Sequence, residues 1–207
     1  MRSAVILAGG SSRRLGAEKS LLEFGGKPLI CWTTEKLNLA ADEVIIVARS
    51  KDHAERLKKL AIEAVFAWDS IEGYGPVAGL DAGMQCARGS LVFATGCDLP
   101  FLNLKVIEKL FDLAYKEKSC DATVPLQTNG YMEPLHSVYD REKMLFACQR
   151  AIKENERRIR APLSELQINT VPVEMLRPLD NELLTFFNLN TPMDLEKARR
   201  LWPKDRV

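Results

Sequence analysis

The sequence is poor in the features that would cross-link it, hold a zinc ion or anchor it in a bilayer. Its five cysteines (Cys31, Cys86, Cys97, Cys120 and Cys148) are odd in number, widely spaced and without a C-x-x-C pair. Neither a disulfide framework nor a zinc site is expected, and a reducing cytoplasm is the natural setting. No apolar stretch approaches the roughly 20 residues that span a bilayer. The short apolar run in MRSAVILAGG ends in glycines and leads into charged sequence without a small-residue cleavage site, so it reads as a first strand rather than a signal peptide. Charge of either sign is not in excess: 29 Lys+Arg stand against 28 Asp+Glu, a net charge of +1. That balance gives no footprint for duplex nucleic acid or an anionic membrane, and no partner of either kind is expected. Internal repeats, low-complexity tracts and Pro/Gly/Ser-rich linkers are missing as well.

What is present is an ordinary globular composition. The chain has 207 residues, 46% of them hydrophobic and 28% charged, enough to bury about 70% of the surface its unfolded form exposes. Apolar runs alternate with segments of helical periodicity, which argues for βα units around a mostly parallel sheet. The expected strands are 4–8, 44–48, 64–67 and 91–95, with helices over 28–39, 52–60 and 104–116. After Lys118 the pattern loosens: 122–125 and 135–139 read as strands around an Asn129-Gly130 turn, followed by a helix over 142–153. A last strand over 184–187 leads into Asn188-Leu189-Asn190-Thr191-Pro192 and a closing helix to about Leu201. One domain over 1–207 is the economical reading, with a small β-rich insertion around 120–170.

The segment AVILAGGSSRRLGAEK joins the first apolar strand to a polar, glycine-rich loop. Such a loop suits phosphate: glycines allow sharp turns and bring backbone N–H groups against anionic oxygens, while Arg14 and Lys19 supply charge. A tight turn carrying solvated basic residues satisfies the same letters. The spacing is neither the dinucleotide fingerprint G-x-G-x-x-G nor a P-loop. Asp98, in LVFATGCDLPFL, stands at the carboxyl end of an apolar strand, where open α/β sheets place ligand-binding groups. Spacing leaves it open between a magnesium ligand and a cap or turn aspartate before the helix that follows Pro100. Asn188 and Asn190, two apart, share one face of an extended strand, and Asn190 also suits the N-cap of the helix begun at Pro192. The run Arg157, Arg158 and Arg160 reads as a solvated charged face.

The string LAGGSSRRLGAEK resembles the signature of the nucleotidyltransferases that activate sugars, pterins and isoprenoid precursors. Within that superfamily the chain is most similar to the molybdenum cofactor guanylyltransferases, nearly end to end, through WDSIEGYGPVAGL, FATGCDLPFL, YMEPLHSVY and FFNLNTPMDL. The resemblance implies a Rossmann-like, mostly parallel sheet flanked by helices, of the nucleotide-diphospho-sugar transferase type. It implies nucleotide contacts at Leu7, Ala8, Gly9, Gly10, Ser12, Lys19, Asp69, Gly75, Pro76, Ala78, Gly79 and Asp98, with Arg14, Lys19 and Asp98 as the catalytic group and Asp98 on Mg²⁺. Residues 1–118 with 184–192 would form the nucleotide part and 119–183 the acceptor part. Glu133, His136, Asn188 and Asn190 would face the acceptor or the α-phosphate. The histidine by itself reads as structural.

The expected reaction is transfer of GMP from GTP to the phosphate of molybdopterin, with a molybdoenzyme or delivery protein downstream. Two alternatives stay open on sequence grounds. One keeps the chemistry and changes the substrates to CTP or another phosphorylated acceptor (cobinamide phosphate, phospholactate or a sugar phosphate). The other is a non-catalytic GTP-binding adaptor.

Overall fold

The computed structural model describes residues 1–9, 11–12, 17–69, 71 and 73–202, with Ser11, Ser12 and Ala17 described by backbone alone. Gly10, the Ser12 side chain and Arg14, all singled out in the sequence, lie outside the described residues.

Seven strands form one sheet: β1 (Arg2–Leu7), β2 (Glu43–Ala48), β3 (Val65–Trp68), β4 (Leu91–Gly96), β5 (Ala122–Leu126), β6 (His136–Asp140) and β7 (Ile168–Pro172). Their order across the sheet is β7-β5-β6-β4-β1-β2-β3. The four strands β4, β1, β2 and β3 run parallel. Only β6 runs against its neighbours β4 and β5, and β7 is again parallel to β5. The strands expected as a β-rich insertion therefore continue the main sheet.

The described residues form seven α-helices: α1 (Leu29–Leu37), α2 (Lys51–Lys58), α3 (Pro76–Cys86), α4 (Leu104–Lys116), α5 (Arg141–Lys153), α6 (Arg160–Leu163) and α7 (Pro192–Leu201). Alternation along each strand divides the core between two faces. On one face Ala4, Ile6 and Phe93 pack with Ile30, Leu57 and Leu110 from α1, α2 and α4. On the other Val5, Val92 and Ala94 meet Leu80 and Met84 from α3 and Met144 and Cys148 from α5. The helix α4 is typical of how the sequence reaches this arrangement. Its Val106, Ile107, Leu110 and Phe111 are fully buried, a one-sided spacing worth about 1.5–3 kcal/mol per side chain.

Two local readings need correction. Residues 184–186 form a 3₁₀ turn rather than a strand, because Thr185 is held from two sides: its N–H donates to Asp180 Oδ2 and its hydroxyl oxygen accepts from the Asn103 N–H. The N-cap of α7 is Thr191, not Asn190, and it closes a capping box with Asp194. Asn103 caps α4 through the Lys105 and Val106 N–H groups, which removes the helix-cap reading of Asp98.

A third apolar cluster fixes the C-terminal segment. Phe24, Leu29, Leu189 and Ala198 are buried together, with Phe101, Phe187 and Trp202 packed around them. The Trp202 ring stands edge-on to Phe24 at 4.7 Å and to Trp32 at 4.8 Å. Leu189 is fully buried and its N–H donates to the Asp98 carbonyl at 2.9 Å. This pins the two asparagines that flank it beside the end of β4.

Candidate nucleotide cleft and acceptor pocket

Each parallel strand delivers residues to one cleft at its carboxyl end, as open parallel sheets do. The ladder hydrogen bonds continue past the strand ends, Ala8 N–H to the Val47 carbonyl, Cys97 N–H to the Leu7 carbonyl and Asp69 N–H to the Ala48 carbonyl. Leu7 and Gly9 from β1, Val47 and Arg49 from β2, Asp69 after β3, Gly96 and Asp98 from β4 and Gly75, Pro76 and Gly79 from the start of α3 line a space of about 460 Å³ together with Lys19. Gly75 adopts φ 93°, a left-handed value suited to glycine, and Pro76 then opens the helix at its first turn. A Cβ on Gly79 would meet Leu7 Cδ2 at 3.0 Å and Asp69 Oδ1 at 3.4 Å, so the bare glycine keeps the wall beside Asp69 open.

At one side of the cleft Lys19 Nζ donates to Asp98 Oδ2 at 2.7 Å and to Asn190 Oδ1 at 2.6 Å. Three segments remote in sequence thus converge on one ammonium group. Two oxygens aimed at one positive centre form a hard donor set suited to a magnesium ion, which takes one or two protein oxygens and completes its shell with phosphate and water. Asp69 is different. Its Oδ1 is buried without a hydrogen-bond partner among the described residues, and burial pushes its carboxyl up to about 6. Cys97, buried in the cleft wall, has its thiol pushed up to about 12, chiefly by burial and further by the Asp98 carboxylate, and is no nucleophile at neutral pH.

The other residues expected at the site divide clearly. Ala8 and Ala78 are buried and do not line the cleft. Glu133, His136 and Asn188 stand apart from Lys19 and line a second cavity of about 160 Å³ with Leu99, Leu135 and Phe186. His136 is fully buried between the edges of Phe93 and Phe186, and burial pulls its pKa down to about 3, so the ring is neutral. Tyr139 turns to the opposite face and donates its hydroxyl to the Pro134 carbonyl at 2.7 Å. Of the basic run, Arg157 lies over the Tyr74 ring at 5.0 Å, not wholly in solvent.

Sequence reasoning missed Arg49, which lines the cleft and pairs with Glu18 at 3.5 Å. It follows directly on a parallel strand, so the rule that drew attention to Asp98 would have found it. Glu18 is held further by Arg56 at 3.0 Å and by the buried His53 at 2.5 Å, which anchors the backbone just before Lys19.

A family model described as MobA-like NTP transferase domain matches residues 4–169. The chain belongs to the MobA-like NTP transferases. It is 38% identical over 202 residues to a Methanosarcina mazei protein named "Probable molybdenum cofactor guanylyltransferase", covering 94% of this chain and 88% of that one. It is 33% identical over 206 residues to the molybdenum cofactor guanylyltransferase of Desulfosudis oleivorans, covering 99% and 98%. The crystal structure of molybdopterin-guanine dinucleotide biosynthesis protein A from Archaeoglobus fulgidus superposes with a TM-score of 0.84 at 36% identity, covering 97% of this chain and 98% of that one. This MobA-like chain is thus an enzyme of the nucleotidyltransferase class, a class consistent with a divalent metal cofactor. No helix among its described residues is long and apolar enough to cross a membrane.

Proposed function

We propose that this nucleotidyltransferase transfers GMP from GTP to the phosphate of molybdopterin, releasing pyrophosphate and forming a guanine dinucleotide. The observation that carries this reading is the convergence of Lys19, Asp98 and Asn190 in a cleft whose wall also holds Asp69, its Oδ1 unpartnered among the described residues. The names of the relatives supply the acceptor.

In the reaction an oxygen of the acceptor phosphate attacks the α-phosphorus of GTP. A new P–O bond forms, the bond to the bridging oxygen of the β-phosphate breaks, and pyrophosphate leaves with the electron pair. An ionised phosphate is already a nucleophile, so alignment and charge neutralisation carry the catalysis. Lys19 places a positive charge against the phosphates, and the family resemblance gives Arg14 and the glycine-rich loop the same task. Asp98 and Asn190 orient Lys19 and would hold Mg²⁺, which when bound neutralises charge on the phosphates. An ionised Asp69 accepts both N1–H and N2–H of guanine; adenine, with a lone pair at N1, offers no such pair of donors. Residues 119–183 bind the acceptor, in a reducing cytoplasm that keeps all five cysteines as thiols.

The test is incubation with GTP, Mg²⁺ and molybdopterin followed by mass analysis of the product. Lys19→Ala and Asp98→Ala, each checked for folding, should lower the transfer rate by about 10²–10³-fold. Wild-type rates in both, or a preference for CTP, would reject the assignment.

A further inference from the structure

Lys19 sits on a flexible stem, yet the proposed reaction needs its ammonium group in one place. The residue that fixes it lies outside the cleft. His53, in the first turn of α2, is fully buried, and no step of the reaction uses it. Its Nε2 lies 2.5 Å from Glu18 Oε1 and 3.3 Å from Ser20 Oγ, so a single ring nitrogen touches the residues on both sides of Lys19. Ser20 is itself fully buried, in the 3₁₀ turn Lys19–Leu21.

The state of the ring follows from its other nitrogen. Nδ1 accepts from the Arg49 N–H at 3.3 Å, so the proton of the neutral ring is on Nε2, where it donates to Glu18 Oε1 and more weakly towards Ser20 Oγ. Burial, reinforced by the charges of Arg49 and Arg56, lowers the His53 pKa against the opposing pull of Glu18, which favours that neutral form. The ring stands on a firm base: its N–H donates to the capping Ser50 hydroxyl oxygen at 3.3 Å, and Ala54 and Leu57 of the same helix are buried in the core. Glu18 Oε2 meets Arg56 at 3.0 Å and Arg49 at 3.5 Å. Both oxygens of the carboxylate are therefore held, and the backbone they fix is the one from which Lys19 reaches Asp98 and Asn190.

We propose that His53 is a positioning residue for nucleotide binding: through Glu18 and Ser20 it clamps the backbone on either side of Lys19 and aims the ammonium group at the phosphates. The inference rests on the reading of Lys19 as the phosphate-binding cation and deepens it. A cation whose backbone is fixed beforehand has less freedom to lose when a polyphosphate arrives.

The experiment is a calorimetric titration of the full chain with inorganic triphosphate in the presence of Mg²⁺, a probe that carries neither base nor acceptor. His53→Asn keeps an amide near the place of Nδ1 but removes the donor to Glu18, and should weaken triphosphate roughly tenfold. His53→Gln returns an amide N–H to the place of Nε2 and should recover most of that loss, although both substitutions trim the ring and should lower Tm alike. In a Lys19→Ala background His53→Asn should cost nothing more, because the two act through one group. Glu18→Ala removes the same contact from the other side and should reproduce the loss if His53→Asn does not fold. Equal losses in the Asn and Gln variants, a further loss in the Lys19→Ala background, wild-type affinity in His53→Asn or Glu18→Ala, or no triphosphate binding to the wild type would each overturn the proposal. Failure of transfer to molybdopterin with this pattern intact would instead reject the proposed reaction and leave the positioning of Lys19 standing.

Discussion

Glu43 and Asp69 are acidic residues of neighbouring strands, one at the start of β2 and the other just past the end of β3, and the protein treats them in opposite ways. Burial acts to raise the Glu43 carboxyl, but it accepts from the Ser3 hydroxyl at 2.6 Å, the Arg88 N–H at 2.6 Å, Arg88 Nε at 2.8 Å and the Gly89 N–H at 3.4 Å. These bonds outweigh burial and hold its pKa below the usual carboxylate range. Asp69 is desolvated too, but its Oδ1 has no partner among the described residues, and its pKa rises to about 6. A satisfied carboxylate at the amino edge of the sheet serves the architecture. One at the carboxyl edge, in a cleft and with an oxygen unpartnered among the described residues, is suited to meet a ligand. Asp98, engaged by Lys19, stands between the two kinds.

The sharpest way to break the contrast is to remove Glu43. Glu43→Ala would leave the buried Ser3 hydroxyl and the Arg88 N–H and Nε–H without their acceptor, the Gly89 N–H keeping Ser3 Oγ at 2.9 Å, and should destabilise the fold by about 3 kcal/mol, a fall of roughly 6–12 °C in Tm. Transfer per folded molecule should not change. A calorimetric melt with the assay run well below Tm checks both, and an unchanged Tm would undo the architectural reading.

Asp69→Asn should do the reverse. GTP affinity should fall by about tenfold or more, since one carboxylate oxygen becomes a donor facing guanine N–H groups. Stability should rise, because a desolvated charge is removed. The sign follows from the raised folded pKa: the destabilisation by Asp69 is absent below its unfolded value, grows as pH rises from about 4 to about 6, and is complete above that. A Tm gain corresponding to about 1 kcal/mol, some 2–4 °C, is expected at pH 8 and should shrink as pH falls from 6 towards 4. In the same window wild-type GTP binding should weaken as Asp69 protonates. Equal GTP affinity for the two proteins at pH 8 would remove Asp69 from the base site.

The smallest effect is expected at Gly79. Gly79→Ala puts a methyl group 3.0 Å from Leu7 Cδ2 and 3.4 Å from Asp69 Oδ1, so Leu7 must yield slightly. A loss of GTP affinity of about threefold, with little change in Tm, would match a wall beside the base. An unchanged affinity would place the base elsewhere in the cleft.

Much of the fold was legible along the chain because local signals agreed. The strands at 2–7, 43–48 and 91–96 and the helix at 104–116 were expected within two residues of their observed ends, since apolar runs and one-sided periodicity reflect burial directly. The misreadings share a cause. Leu184–Phe187 looks like a strand by composition, yet Asp180 and Asn103, the latter 82 positions from Thr185, decide its conformation. Asn190 looks like a cap, yet its neighbour Thr191 has the right geometry with Asp194, and its own amide oxygen turns to Lys19. Arg49 was overlooked although it follows directly on β2, where the rule that drew attention to Asp98 applies equally.

By itself the chain determined its elements, its two-faced core and the class of its chemistry, because hydrophobic period, helix caps and the glycine-rich loop act over a few residues. The family follows from ordered motifs spread over most of the sequence. Tertiary structure alone decided which polar groups meet. Lys19 reaches Asp98 over 79 positions and Asn190 over 171, while the oxygen of Asp69 and the ring nitrogen of His136 meet no partner among the described residues. Whether a buried polar group is satisfied depends on neighbours that only folding brings within hydrogen-bond distance.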